Sequence, residues 1–138
     1  MIAIDTNVLV RILIDDPSAE KQCQLARHIV NYHKDIWVCH IVLVETIWVL
    51  QKVYSFKKPQ VILVLKKLIQ HPHLHLEDTE ILEHALHIFN VSNADFADCL
   101  ILSKAQQNDL ALHTFDRKLA QIQGTKQITK AVESLPFS

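Results

Sequence analysis

Four carboxylates in this chain stand where apolar residues dominate, and their number is the first chemical clue: Asp5, Glu45, Asp98 and Asp116. Glu45 is the sharpest case. The stretch "IVLVETIWVL" (41–50) holds eight apolar residues around that single carboxylate, with no Lys or Arg within five residues. On a helix its neighbours are Ile41, Val42, Trp48 and Val49; on a strand they are Leu43 and Ile47. Either setting predicts apolar surroundings. An ionised carboxylate buried alone costs several kcal/mol, so Glu45 is expected to be paired, protonated or bound to a cation. Asp98 also sits beside apolar surface, its helical neighbours being Ala94, Asp95, Ile101 and Leu102. Asp5 follows the apolar run "MIAI", and Asp116 follows "LALHTF".

The elements that must position these acids can be read from periodicity. "MIAI" (1–4), "IWVC" (36–39), residues 74–77, "LALHTF" (110–115) and "QI" (127–128) have strand character. Helices are predicted over 8–14, 19–33 (capped by Ser18), 41–54, 59–70 (Pro59 in its first turn), 80–90 (capped by Thr79), 93–109 and 116–123, the last ended by Gly124. This alternation predicts an α/β fold with a central parallel sheet flanked by helices, in one domain over 1–138. Ligands bind outside the carboxyl ends of the strands in such sheets. Asp5 and Asp116 end strands, and Glu45 lies early in the helix after the second strand, so the acids are expected to converge at one edge. Two carboxylates about 5 Å apart repel by roughly 3 kcal/mol at an effective dielectric near 20. A divalent ion or bound protons would relieve that repulsion, and oxygen-only ligands suit Mg2+ or Mn2+ rather than Zn2+.

Each acid also has a plainer explanation. Asp5 and Asp116 each precede a predicted helix and would serve as N-caps. Glu45 would be a protonated or distantly paired core acid, and Asp98 would pair with a surface Lys. Asp95 lies three residues before Asp98, and its place near a helix start favours capping over ligation. The histidines His71, His73 and His75 alternate, but a solvated edge explains them better than a zinc site, which needs four well-placed ligands. Trp37, Trp48 and Phe96 are expected in the core.

Composition sets the outer bounds. The chain has 138 residues, 49% of them apolar, enough for an ordinary core. A net charge of −1 gives no broad basic footprint, so nucleic acid would be held by a small rim or by bound cations. The three scattered cysteines suit a reducing, cytoplasmic compartment. Asp5 and Arg11 interrupt any signal sequence, and the apolar run 36–50 is too short to span a bilayer, so no membrane is expected.

"IDTNVLV", "VETIWVL", "ADFADCLILSKA" and "LHTFDRKL" resemble, in order and spacing, the four signatures of PIN-domain ribonucleases. The similarity is greatest to VapC-type toxins of bacterial toxin–antitoxin pairs and runs from residue 4 to about 119. It implies a Rossmann-like three-layer fold and Mg2+- or Mn2+-dependent cleavage of RNA. Asp5, Glu45, Asp98 and Asp116 match the acidic positions, and Thr6, Asn7 and Thr114 match the polar residues that support them. A cognate antitoxin and a homodimer are further implications. Arg11, Arg117 and Lys118 are the candidate phosphate contacts. Two other functions compete. A haloacid-dehalogenase-type phosphatase would need Asp-x-Asp after the first strand, and the chain has Asp5-Thr6-Asn7 there. A non-catalytic RNA- or protein-binding relative would be expected to have lost an acid, and all four motif acids are present.

Overall fold

The structure is a computed structural model and describes residues 1–130. The single domain expected over 1–138 therefore extends, at 131–138, outside the described residues. The chain divides into two compact units, Met1–Glu80 and a second from Ile81 onward.

The first unit is built on a three-stranded parallel sheet of β1 (Ile2–Ala3), β2 (Ile36–Val38) and β3 (Leu74–Leu76), in that order. Ile2 pairs with Ile36, and Ile36 with Leu74. Parallel neighbours need long crossovers. Here α1 (Thr6–Leu13) and α2 (Glu20–His33) join β1 to β2, while α3 (His40–Lys52) and α4 (Lys58–Gln70) join β2 to β3. Ile36 and Val38 on the central strand are fully buried. Leu9, Leu43, Leu50, Val61 and Leu65 complete the core from the helices.

Local sequence explains the helix starts. Asp5 caps α1, its Oδ1 accepting the Val8 N–H at 3.1 Å. Pro59 sits in the first turn of α4, where Gln60 Oε1 accepts the Lys57 N–H at 2.7 Å. Ser18 does not cap α2 as expected. α2 starts from Ala19 with no side-chain capping bond; Asp16 instead caps the short 3-10 turn before it (Pro17–Ala19), accepting both the Ser18 N–H and the Ser18 hydroxyl. A carboxylate can take both donors at once, and Ser18 supplies them.

The second unit holds most of α5 (Thr79–Val91), then α6 (Phe96–Gln107), β4 (Leu112–Thr114) and β5 (Thr125–Gln127). Phe89 and Phe96 meet edge to face, with ring centres 5.9 Å apart. Leu82 and Ala85 on α5, and Cys99 and Leu102 on α6, are fully buried. β4 and β5 pair in parallel, Leu112 with Thr125, as a separate two-stranded sheet. The α/β class with parallel pairing is as expected, but the hydrogen-bonded strands fall into two groups rather than one continuous ladder. The helix expected over 116–123 shrinks to a 3-10 turn at Leu119–Gln121. Asp116 Oδ1 draws in the Lys118 and Leu119 N–H groups at 2.7 and 3.2 Å. Gly124, at φ 97°, turns the chain into β5 before a second helical turn can form.

Candidate active site

In the first unit, Asp5 leaves β1 and enters α1. Capping uses one of its oxygens; Oδ2 has no hydrogen-bond partner among the described residues. Helix capping and ligand binding are therefore compatible in this residue. Thr6 follows it, and its hydroxyl donates to Glu45 Oε1 at 3.1 Å. Asn7 and Asp5 are exposed at a groove of about 520 Å³ walled by apolar residues of β1 and α2.

Glu45 is exposed, which overturns the expectation of a carboxylate in buried apolar surroundings. Ile41 and Trp48, one turn either side of it, are themselves 72% and 58% exposed. α3 buries Val42, Leu43, Thr46, Ile47 and Leu50 instead. A helix that is apolar nearly all round does not declare which stripe faces the core. The core stripe includes Thr46, whose buried hydroxyl has no hydrogen-bond partner among the described residues. Trp48 is thus not a core residue, and Trp37 is 38% exposed on β2; Phe96 is buried.

Arg11 lies at the same groove but is tied down. It donates to Gln22 Oε1 at 3.0 Å and to the Tyr54 hydroxyl at 3.1 Å, and lies 3.7 Å from Asp16 Oδ2. Tyr54 in turn donates to Asp16 at 2.7 Å. The hydroxyls of Ser18 and Tyr54, the Ser18 N–H and then the Arg11 charge hold the Asp16 carboxyl down at about 2, against an opposing effect of burial. The bond to Asp16, reinforced by burial, raises the Tyr54 phenol, while its bond with Arg11 opposes the rise. Sequence reading missed this network, because its members are spread over four segments.

In the second unit, Asp98 is half-buried on the first turn of α6. Burial pushes its carboxyl above the usual range, and the charges of Asp95 and Asp116 push it further. Asp95 occupies the N-cap position of α6, but only its backbone serves the helix: its carbonyl accepts the Cys99 N–H, and its side chain makes no capping bond. The expectation that its carboxylate caps the helix is therefore corrected. Asp116 is fixed through its backbone, whose N–H donates to Thr114 Oγ1 at 3.0 Å. Arg117 and Lys118 beside it are exposed. Among the described residues, Asp95, Asp98 and Asp116 make no ion pair with Lys, Arg or His.

The donor set is all oxygen, and Asp98 faces negative charge without a compensating cation. Both features fit a hard divalent ion. Among the described residues, no three His, Cys, Asp or Glu side chains are already gathered at metal-holding spacing. The histidines have other partners: His75 Nε2 lies 2.8 Å from Asp35 Oδ1, and His71 Nδ1 accepts the His73 N–H.

The sequence profile of the PIN domain matches residues 2–124. The chain belongs to the PIN-domain family. The match takes in both units and all four motifs that carry the acids. PIN domains are in general nucleases, so the chemistry of this PIN domain is hydrolytic and of nuclease type. No curated protein matches the chain. No helix of this PIN domain, among the described residues, is long and apolar enough to cross a membrane.

Proposed function

We propose that this PIN domain is a divalent-metal-dependent endoribonuclease and the toxin of a toxin–antitoxin pair. The observation that carries the metal dependence is Asp98, a half-buried acid raised by burial and by two further carboxylates with no cation to balance them. The proposal assigns the oxygen ligands to Asp5, Glu45, Asp98 and Asp116, the acidic positions of the four motifs. A bound Mg2+ or Mn2+ would offset charge developing on the phosphate and make a water easier to deprotonate.

The chain's own residues do the rest. The Val8 N–H anchors one Asp5 oxygen and leaves the other free. Thr6 orients Glu45, and Thr114 fixes the backbone at Asp116. Asp95 adds charge beside Asp98, which strengthens attraction for a cation. Arg117 and Lys118, exposed beside Asp116, are the better placed phosphate contacts, since Arg11 is engaged by Asp16 and Tyr54.

RNA as substrate, a homodimer and a cognate antitoxin rest on the resemblance to VapC-type toxins, and a cytoplasmic location rests on the three scattered cysteines. An antitoxin Arg or Lys would pair with the carboxylates and block the ion. The metal reading is tested by melting. An ion that binds only the native state raises the melting temperature once it exceeds its dissociation constant. Mn2+ should stabilise the wild type and not Asp98→Asn; a wild type indifferent to Mn2+ in both melting and RNA cleavage ends the reading. The toxin reading is tested by expression. Growth arrest relieved by co-expressing the neighbouring gene supports it, and harmless expression without RNA cleavage removes it.

A further inference from the structure

Phe115 is 78% exposed, although it is a large aromatic residue between β4 and the Leu119–Gln121 turn. Burying such a ring would stabilise the fold. The chain forgoes that gain directly beside Asp116. The ring is also displayed on a fixed support. On its N-terminal side the Thr114 carbonyl accepts the Ile128 N–H at 2.8 Å, and the Thr114 hydroxyl accepts the Asp116 N–H. On its C-terminal side Asp116 Oδ1 accepts from Lys118 and Leu119.

The two residues after Asp116 are Arg117 and Lys118, both exposed and, among the described residues, in no ion pair. An exposed aromatic side chain on a hydrogen-bonded turn next to unpaired cations is the combination that binds single-stranded nucleic acid. The cations follow the phosphates, and the ring takes the face of a base. A continuous duplex has no free base face to offer. A protein partner burying the ring would have to desolvate Asp116, Arg117 and Lys118 around it, whereas a nucleotide supplies charge for the cations and a surface for the ring.

We infer that Phe115 is a stacking platform for an unpaired nucleobase adjoining the phosphate served by Asp116. This rests on the nuclease reading above and adds a specificity-determining residue to it.

The test is binding of the full chain to a labelled single-stranded RNA and to the perfectly paired duplex of the same sequence, by fluorescence anisotropy with divalent ions chelated. Phe115→Ala should raise Kd for the single strand about tenfold, within the range given by loss of one base–aromatic stack. Kd for the duplex should not change. Phe115→Tyr should restore single-strand binding, and circular dichroism should show all three proteins folded. Unchanged single-strand binding by Phe115→Ala overturns the inference, as does an equal loss on both RNAs. So does intact RNA binding with lost binding to the neighbouring gene's product, which would assign the ring to a protein interface. Because the readout is binding, failures are separable. A wild type that binds through Phe115 but never cleaves defeats the nuclease reading alone; one that cleaves with Phe115→Ala unaltered in binding defeats this inference alone.

Discussion

Thr6 and Glu45 are 39 residues apart in the chain, and the Thr6 hydroxyl donates to Glu45 Oε1 at 3.1 Å. The bond joins the residue after the first motif acid to the second motif acid. It also explains how an exposed glutamate on α3 is held without an Arg or Lys.

Thr6→Val keeps the shape of the side chain and removes this donor. Stability should change by no more than about 0.5 kcal/mol, because the bond is exposed. Cleavage should fall about tenfold, equivalent to roughly 1.4 kcal/mol, if Glu45 must be oriented to act. Thr6→Ser should recover most of the rate. Single-turnover cleavage of a labelled RNA by the three proteins checks this.

The raised carboxyl of Asp98 gives a pH dependence with a definite sign. The native state holds the Asp98 proton more tightly than the unfolded chain does. Its contribution to stability is therefore present below the unfolded value of 3.8 and is lost as pH rises through the higher native value. At neutral pH without metal the charged form destabilises the fold. Asp98→Asn should then melt above the wild type near pH 7, and the advantage should vanish as pH falls below 3.8. Melting curves across that range, in chelator, measure it.

Asp95→Asn separates capping from electrostatics. The side chain makes no capping bond, so its replacement should leave stability within about 0.5 kcal/mol. It removes one of the two charges that raise Asp98, so the Asp98 carboxyl should titrate lower. A carbon-detected NMR titration of Asp98 in both proteins reads this directly. An unmoved Asp98 would show that Asp95 does not act on it.

Thr46 offers a test of the core. Its hydroxyl is buried with no hydrogen-bond partner among the described residues, a cost of about 1–3 kcal/mol. Thr46→Val should stabilise the protein by about 1 kcal/mol, seen as a melting rise of about 3 °C. A fall in melting temperature would mean that the hydroxyl is satisfied after all.

The strands and helices were largely legible in the sequence because their signals are local. Asp5 before an apolar helix, Pro59 at a helix start and Gly124 at a turn each act through their own neighbours. Legibility failed where tertiary choice decides. α3 is apolar on nearly every side, so periodicity could not tell that Ile41 and Trp48 face solvent while Thr46 is buried. Ser18 and Asp16 are both good capping residues, and only the geometry shows Asp16 capping a 3-10 turn while α2 starts without a side-chain cap. For the proposed site, the motifs nominate Asp5, Glu45, Asp98 and Asp116, and the structure adds the bond from Thr6 to Glu45. The apolar stretch around Glu45 predicts burial, whereas the residue is exposed and bonded to Thr6. Phe115 lies inside the last motif, and its sequence signal is an aromatic residue abutting a candidate acid and two cations.

The central claim is that the acids cleave RNA through a divalent ion, and Asp5→Asn in single-turnover cleavage with Mg2+ or Mn2+ tests it most directly. The amide oxygen can still accept the Val8 N–H, so the fold should survive within about 1 kcal/mol, as circular dichroism would verify. The loss of a charged ligand should lower the cleavage rate about a hundredfold or more, equivalent to roughly 2.7 kcal/mol or more, while RNA affinity holds or rises slightly. A folded Asp5→Asn protein that cleaves at the wild-type rate would contradict the account.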